Sequence, residues 1–523
     1  MNRARALVFL TLAVLIPGTA GFAFAADTAP ANPMAVDIVA RLRAAAQAEP
    51  DPSKRAAVLR AAASELPRGL YPPVLDLLIP APPDTHDREI ARAIFLRWAW
   101  ETPDYAAAWA AAAPRGPFRQ EALAEAAGRW AEKQPGEVAS WSETLPPRET
   151  AWVRSSVSAL LHRLRSPALA AWDEAIRPPV RLAVYGLEHD HARLLFPSLA
   201  GRRDVVLVGV IESDPAEIAY YEQHFHLDPH LFYPSLAALR AATPAIDAVA
   251  VFTSTFRHRE AVEQCAPLGI DVMMEKPFAM DLAAARAMRD AARRGGIDLI
   301  VNYETSWYPS TRQAHEWVDR DHVLGPVRKI LVRDGNGGPL SPAIDCTPFF
   351  KRWLLDPARG GGALLDFGCY GADLVTWMME GREPTSVTAV TQHFQAALPA
   401  AVEDEATVIV TYPDAQAIIQ ASWNWPYGRK DMEIYGENGS LKAPGRDVLL
   451  ERHGERGSEV QSEPPALQGP DRDSLSYLVA VVRKRIRPSG LASVETNMVV
   501  TEILDAARES ARTGRRVEVG TGP

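Results

Sequence analysis

Cysteine is nearly absent: Cys265, Cys346 and Cys369 are the only 3 in 523 residues, far apart and without a C-x-x-C pair. That excludes a disulfide framework and a cysteine-rich metal site, so stability must come from packed cores alone. Cys265 and Cys369 stand among apolar neighbours and read as buried thiols rather than nucleophiles. An excess of positive charge is also missing. With 56 Lys and Arg against 65 Asp and Glu, the net charge is −9. This excludes a nucleic-acid partner, since phosphate recognition needs a basic footprint. The densest basic run, "RKRIR" at 483–487, reads as the solvated end of a helix.

Beyond residue 16 no apolar run approaches the ~20 residues that a membrane span requires, so none is expected. Residues 1–25 read as a secretory signal instead. Arg3 and Arg5 form a positive start, "ALVFLTLAVLI" (6–16) an apolar core, and Ala23-Phe24-Ala25 a cleavage site. Pro17-Gly18 interrupts the core, no cysteine follows it, and the arginines are not adjacent. The expectation is export through the general secretory route to the periplasm or medium, with residues 26–34 as a linker.

Residues 35–176 have almost no β-branched runs and are rich in alanine. Trp98, Trp130 and His162 recur at a step of 32, as do Pro103, Pro135 and Pro167. Trp109, Trp141 and Trp172 follow, the last one residue early. The pattern "W-A-x-x-x-P-x-x-x-A-x-W" predicts an all-α domain of stacked helical hairpins, with proline in the first turn of each second helix. Such an array offers a concave face to a protein partner.

"RPPVR" at 177–181 marks a boundary. After it, "VRLAVYG", "DVVLVGVIE", "DAVAVF", "DVMME" and "DLIVN" alternate with helical stretches, which predicts an α/β doubly wound parallel sheet over 180–302. From 303 to 517 the runs "VRKILVRDG", "SVTAVTQHF", "ATVIVTYPDAQAIIQASW" and "DMEIYGENGSL" have period two. They predict an α+β domain with a mostly antiparallel sheet, closed by a helix at about 492–513.

Glycine is short where it matters most. The turn after the first strand, "GLEHDH" (186–191), keeps Gly186 but places Glu188 and His191 where a G-x-G-x-x-G dinucleotide loop has its second and third glycines. A carboxylate ~4 Å from a phosphate costs on the order of 4 kcal/mol at a surface-like dielectric. Either Glu188 turns outward while His189, His191 and the helix N-terminus hold the pyrophosphate, or Glu188 or Asp190 caps the helix in the anion's place. A metal held by His189 and His191 is not expected, because no third ligand is evident in the sequence.

Other residues point to a cleft. Glu275-Lys276 ends a buried strand directly before Pro277, and ligands of parallel sheets bind at strand carboxyl ends. Glu212 ends the second strand, where a carboxylate bonds an adenosine ribose and disfavours a 2′-phosphate, so NAD is expected over NADP. Trp307, Tyr308, Trp353, Trp423, Trp425 and Tyr427, beside Asn302 and Lys351, suit the CH faces and hydroxyls of a sugar.

The ordered set of motifs resembles the glucose–fructose oxidoreductase, inositol dehydrogenase and rhizopine-catabolism (Gfo/Idh/MocA) family over about residues 180–515. The matches are the strand–turn–helix start, Thr253 and His258 in "FTSTFRH", "EKP" at 275–277 and "GGGALLDFGCYGAD" at 360–373. The resemblance implies NAD-dependent hydride transfer to or from a sugar, cyclitol or derivative. It implies Lys276 as the acid–base group beside the nicotinamide, Asp366 as the substrate-orienting aspartate and Asp373 as the family's later aspartate. Tyr370 takes the place of the family's usual catalytic histidine. With a pKa near 10, a phenol serves as hydrogen-bond donor rather than base; base work falls to Lys276, whose pKa desolvation would lower. Gly186, His189, His191, Glu212, Thr253, His258, Glu275 and Lys276 form the expected cofactor site, and Asn302, Lys351 and Asp373 the substrate side, in a homo-oligomer. Three other readings stay open: glycoside cleavage with trapped NAD, a non-catalytic carbohydrate-binding protein docked through its helical repeats, and an assembly protein in which the repeats matter most.

Overall fold

The computed structural model describes residues 32–79, 85–243, 245–320 and 322–520. The signal expected at 1–25 and most of the linker lie outside them. The chain divides into two compact units between Arg177 and Pro178, inside the predicted "RPPVR" boundary.

The first unit is helical throughout, in nine α-helices from Pro33–Ala48 to Leu169–Ala175 and a 3-10 turn at Arg68–Leu70 among the described residues. Proline opens the helices Pro103–Ala112 and Pro135–Ser142, where its missing N–H costs no intrahelical bond. The spaced tryptophans pair within successive helix pairs. Trp98 meets Trp109, and Trp130 meets Trp141, each with ring centroids 5.7 Å apart. The third member differs: His162 is exposed, and Trp172 is buried alone with its indole N–H on Ser158 Oγ at 2.8 Å.

The second unit begins with β1 (Val180–Tyr185), β2 (Val205–Ile211), β3 (Phe232–Tyr233), β4 (Ala248–Val251), β5 (Asp271–Glu275) and β6 (Leu299–Asn302). They form one parallel sheet in the order β3-β2-β1-β4-β5-β6, the doubly wound arrangement. Five strands match the apolar runs. β3 went unpredicted because two half-buried residues carry no periodicity. Every residue of β4 and β5 is buried, as helices on both faces demand. Register sets Glu275 beside Asn302 at the carboxyl ends of β5 and β6.

Then follow β7 (Val327–Gly335), β8 (Ser386–Gln392), β9 (Glu405–Thr411), β10 (Gln416–Ser422), β11 (Arg429–Gly436), β12 (Gly439–Gly445), β13 (Val448–His453), β14 (Val460–Ser462) and β15 (Val517–Glu518). Their nine-stranded sheet runs β14-β13-β12-β11-β7-β10-β9-β8-β15, antiparallel except between β7 and β10. The helices Gly368–Met378 and Val494–Thr513 pack on it. The latter is capped by Ser493, whose hydroxyl accepts the Thr496 amide, and ends at Gly514 in the left-handed region.

Each unit has its own buried cluster. Residues 178–523 expressed alone should therefore unfold cooperatively, with the near-ultraviolet circular dichroism of packed aromatics. A molten fragment would place the boundary elsewhere.

Candidate active site

A cavity of about 860 Å³ opens at the carboxyl end of β5, lined among others by His191, Lys276, Glu304, Asp366, Tyr370 and Lys430. Lys276 is its anchor. The fully buried ammonium donates to the Asp366 carbonyl at 2.8 Å and to Asp366 Oδ1 at 2.6 Å, while Trp423 Nε1 donates to Oδ2 at 3.0 Å. Burial by itself would lower the Lys276 pKa, but the Asp366 charge outweighs it and holds the pKa above the ordinary lysine value. This corrects the expectation of a lysine tuned down to act as base: the site keeps Lys276 as an ammonium. Two of its three N–H bonds are taken, which leaves one for a ligand.

Tyr370 is buried beside it, and burial pushes its phenol well above the usual range. Two ammonium groups face its ring, Lys430 at 4.1 Å and Lys276 at 5.1 Å from the centroid. Lys430 Nζ donates to Glu304 Oε2 at 2.6 Å, and the Tyr308 hydroxyl donates to Glu304 Oε1 at 2.7 Å. Burial would raise Glu304, but Lys430 and that hydroxyl bring it down to about 2. Burial pushes Asp334 far above the carboxylate range despite Lys430 nearby, and its Oδ1 has no partner. Lys430, Glu304 and Asp334 were not read from the sequence. Glu304 and Lys430 stand 126 residues apart, and only the packed fold joins them.

The loop 186–191 answers in detail the question its missing glycines raise. Gly186 has φ +78°, and a Cβ there would stand 2.4 Å from Thr253 Cγ2, so glycine is required at this position. Glu188 neither turns outward nor caps its own helix. Its carboxylate is buried, accepts the Ser254 amide at 2.7 Å and lies 3.5 Å from the Arg257 guanidinium. Asp190 does not cap either: it accepts the Thr347 amide at 2.9 Å and hydroxyl at 2.6 Å. Trp353 Nε1 donates to the Glu188 carbonyl at 3.3 Å.

The histidines differ from one another. His189 is fully buried; burial, followed by the nearby His191, Lys276 and His258, keeps it neutral. Its Nδ1 accepts the His191 amide at 3.2 Å, which leaves the proton on Nε2, an atom with no partner. His191 lines the cavity and places Nδ1 2.7 Å from Glu275 Oε2. Asn302 Nδ2 donates to Glu275 Oε1 at 2.8 Å, and Trp307 Nε1 to Asn302 Oδ1 at 2.9 Å. Burial would raise Glu275, but His191, Asn302 and Lys276 together hold it below the ordinary value. His189, His191 and Glu275 bring ligand atoms within 4.8 Å of one another. An acidic third ligand, Glu275, therefore stands beside the two histidines in space although it is remote in sequence. The bonding is nonetheless that of imidazoles and a carboxylate: Nε2 of His189 keeps its proton and offers no lone pair to an ion.

Other expected residues stand apart from the cavity. Asn302 sits behind Glu275. Lys351, on the helix Pro348–Leu354, does not line the cavity. Asp373 is fully buried with both oxygens unpartnered, and burial pushes it far up. Thr253 packs on Gly186, and His258, buried, places Nδ1 3.2 Å from the Phe278 carbonyl. Glu212 accepts the Leu187 amide at 3.1 Å and the Ser213 and Asp214 amides at 2.6 and 2.8 Å. It borders a second cavity, of about 100 Å³, with Tyr185 and Arg257.

The Ser254 amide and Arg257, the latter lining the second cavity, are donors of the kind that suit a pyrophosphate. Glu188 holds both donors with its own carboxylate. The residues fit the group, on condition that Glu188 yields its place.

Residues 180–303 match the family model described as an oxidoreductase family with an NAD-binding Rossmann fold, and residues 311–442 match the GFO/IDH/MocA C-terminal domain. D-Apiose dehydrogenase of Paraburkholderia graminis is 25% identical over 334 residues, 60% of this chain and 83% of that protein. Inositol 2-dehydrogenase of Rhizobium meliloti is 27% identical over 259 residues, 49% of this chain and 73% of that one. An inositol dehydrogenase homologue from Azotobacter vinelandii, crystallised with NAD+, shares the fold at a TM-score of 0.56 and 19% identity, over 65% of this chain and 97% of its own.

Proposed function

Since the chain, from residue 180 to residue 442, belongs to the Gfo/Idh/MocA oxidoreductase family, we propose that it transfers hydride between NAD and a sugar, cyclitol or related polyol, with Lys276 as the group that binds the reacting oxygen. The observation that carries this reading is the Lys276–Asp366 pair in a polar cavity at the carboxyl end of β5. When bound, NAD supplies the hydride acceptor or donor. The chain does the rest. The remaining Lys276 N–H donates to the substrate oxygen and stabilises negative charge developing there, Asp366 fixes the ammonium, and Tyr370 walls the cavity beside it. Paired charges surround the cavity, Lys430 with Glu304 and Lys276 with Asp366, which suits a neutral, hydroxyl-rich ligand.

Relatives such as the D-apiose and inositol dehydrogenases support the substrate class. The test is a panel of neutral sugars, cyclitols and their lactones with NAD+ or NADH, read by nicotinamide absorbance, beside mass spectrometry of nucleotide in protein purified from its native compartment. Turnover with none of them, and no nucleotide carried, would overturn the proposal. The seat of Glu188 favours a second reading, a carbohydrate-binding protein that has given up the dinucleotide, and the same experiment separates the two. Export belongs to the proposal as well. It rests on residues 1–25, and the native protein should begin near Ala26; an uncleaved N-terminus would exclude it.

A further inference from the structure

The site needs a proton acceptor that its expected members do not provide. An ammonium has no lone pair to accept a proton, so Lys276 is excluded. Asp366 spends both oxygens on Lys276 and Trp423. Asp190 spends both on Thr347. Glu304 is held by Lys430 and Tyr308. Burial pushes the Tyr370 phenol and the Asp334 carboxyl well above their usual ranges, away from the form that accepts a proton. One side chain of the cavity is built differently. His191 gives Nδ1 to Glu275, Glu275 is fixed through its other oxygen by Asn302, and Asn302 is fixed by Trp307. A carboxylate on Nδ1 sets the tautomer with the proton there and leaves the lone pair on Nε2. Nε2 is then the nitrogen that a ligand in the cavity meets, and no hydrogen bond to it is present among the described residues.

We infer that His191, oriented by Glu275, is the general acid–base residue of this site, in the role the family gives to a histidine at the position of Tyr370. This rests on the oxidoreductase reading above. In the oxidising direction the hydroxyl O–H bond breaks and its proton goes to Nε2. The electron pair left on oxygen becomes the second bond of the carbonyl, and the C–H hydrogen leaves with its two electrons as hydride to oxidised nicotinamide. Lys276 keeps its proton throughout and donates to the same oxygen. Reduction runs the steps in reverse, with His191 as the acid. Glu275 is a positioning residue: it touches the imidazole, not the substrate. The replacement of the loop's third glycine is on this account an exchange of close helix–strand packing for a catalytic side chain.

The charged and titratable groups around His191 are His189, Asp190 and Arg193 from its own segment, Glu275 and Lys276 from the end of β5, and Glu304 from the turn after β6. In the full-length protein, kcat/KM should have an acidic limb, as a reaction that needs an unprotonated base does. His191→Ala should lower it by about 10²–10³-fold and abolish that limb, with imidazole in the buffer restoring part of the loss. Glu275→Gln should lower the rate while His191 stays in place. Independently of turnover, ring-nitrogen NMR of histidine-labelled protein should show a strongly hydrogen-bonded Nδ1–H that disappears in His191→Ala and is weakened in Glu275→Gln, whose amide oxygen accepts without the charge. An unchanged pH profile in His191→Ala overturns the assignment while leaving the oxidoreductase reading intact. So does stoichiometric zinc or iron lost on that substitution, since the imidazole would then be a ligand. If the wild type shows the bonded Nδ1–H but turns over no polyol, it is the oxidoreductase reading that fails, and the catalytic role falls with it.

Discussion

Replacing Lys276 by methionine is expected to lower kcat by about 10²–10⁴-fold, the range typical of an acid–base or oxyanion-binding group. The structure adds a second expected effect. Asp366 is buried, and Lys276 supplies two of the hydrogen bonds to that residue. Removing one partner of a buried pair strands the other, at a cost of about 3–5 kcal/mol. Lys276→Met should therefore be both slow and less stable, which makes lost activity alone ambiguous. The double substitution Lys276→Met with Asp366→Asn resolves it. Asparagine needs no counter-charge and can still accept from Trp423, so the melting temperature should recover most of its loss while kcat stays low. If activity recovers along with stability, Lys276 serves the fold and not the reaction.

The second large effect is at Glu188. Glycine at this position should tighten NAD binding by roughly 1–3 kcal/mol, the repulsion left after partial screening, or about tenfold for each 1.4 kcal/mol. Without nucleotide, the same change should destabilise the protein by about 1–3 kcal/mol. It removes a charge-assisted bond from a buried amide, that of Ser254, and a neighbour from Arg257. Saturating NAD should restore what was lost, because a ligand bound only by the folded state stabilises it. Calorimetric titration and thermal melts, each with and without NAD, read both halves. Equal NAD affinity in the two proteins would mean that Glu188 does not occupy the pyrophosphate position, and absence of binding in both would favour the carbohydrate-binding reading.

Much of the architecture was open to a reader of the sequence. Alternation of period two marked β7, β9 and β10, because each has one buried and one largely half-buried face. Strand-end placement marked Glu275 and Lys276. Elements without a pattern escaped: β3 and β15 have two residues each. At the site, residue types were legible and their partners were not. Glu188 was visibly out of place in a phosphate loop, but its true partner, the Ser254 amide, is 66 residues away. Lys276 was singled out with the wrong protonation, since burial was foreseen and the strength of the Asp366 pair was not. Lys351 and Asp373 were drawn towards the substrate by composition and motif, and packing sends them elsewhere.

The bonds above the loop bear on time as well as affinity. Thr347 holds Asp190 through its amide and its hydroxyl, and Trp353 holds the Glu188 carbonyl. These tie the short segment 347–354 down onto residues 188–190. A ligand that displaces the Asp190 carboxylate or the Glu188 carbonyl has to break these bonds first, so its arrival and departure would be paced by their opening. A nucleotide that has to open them would exchange slowly. Such an enzyme would depend little on a pool of free coenzyme around it.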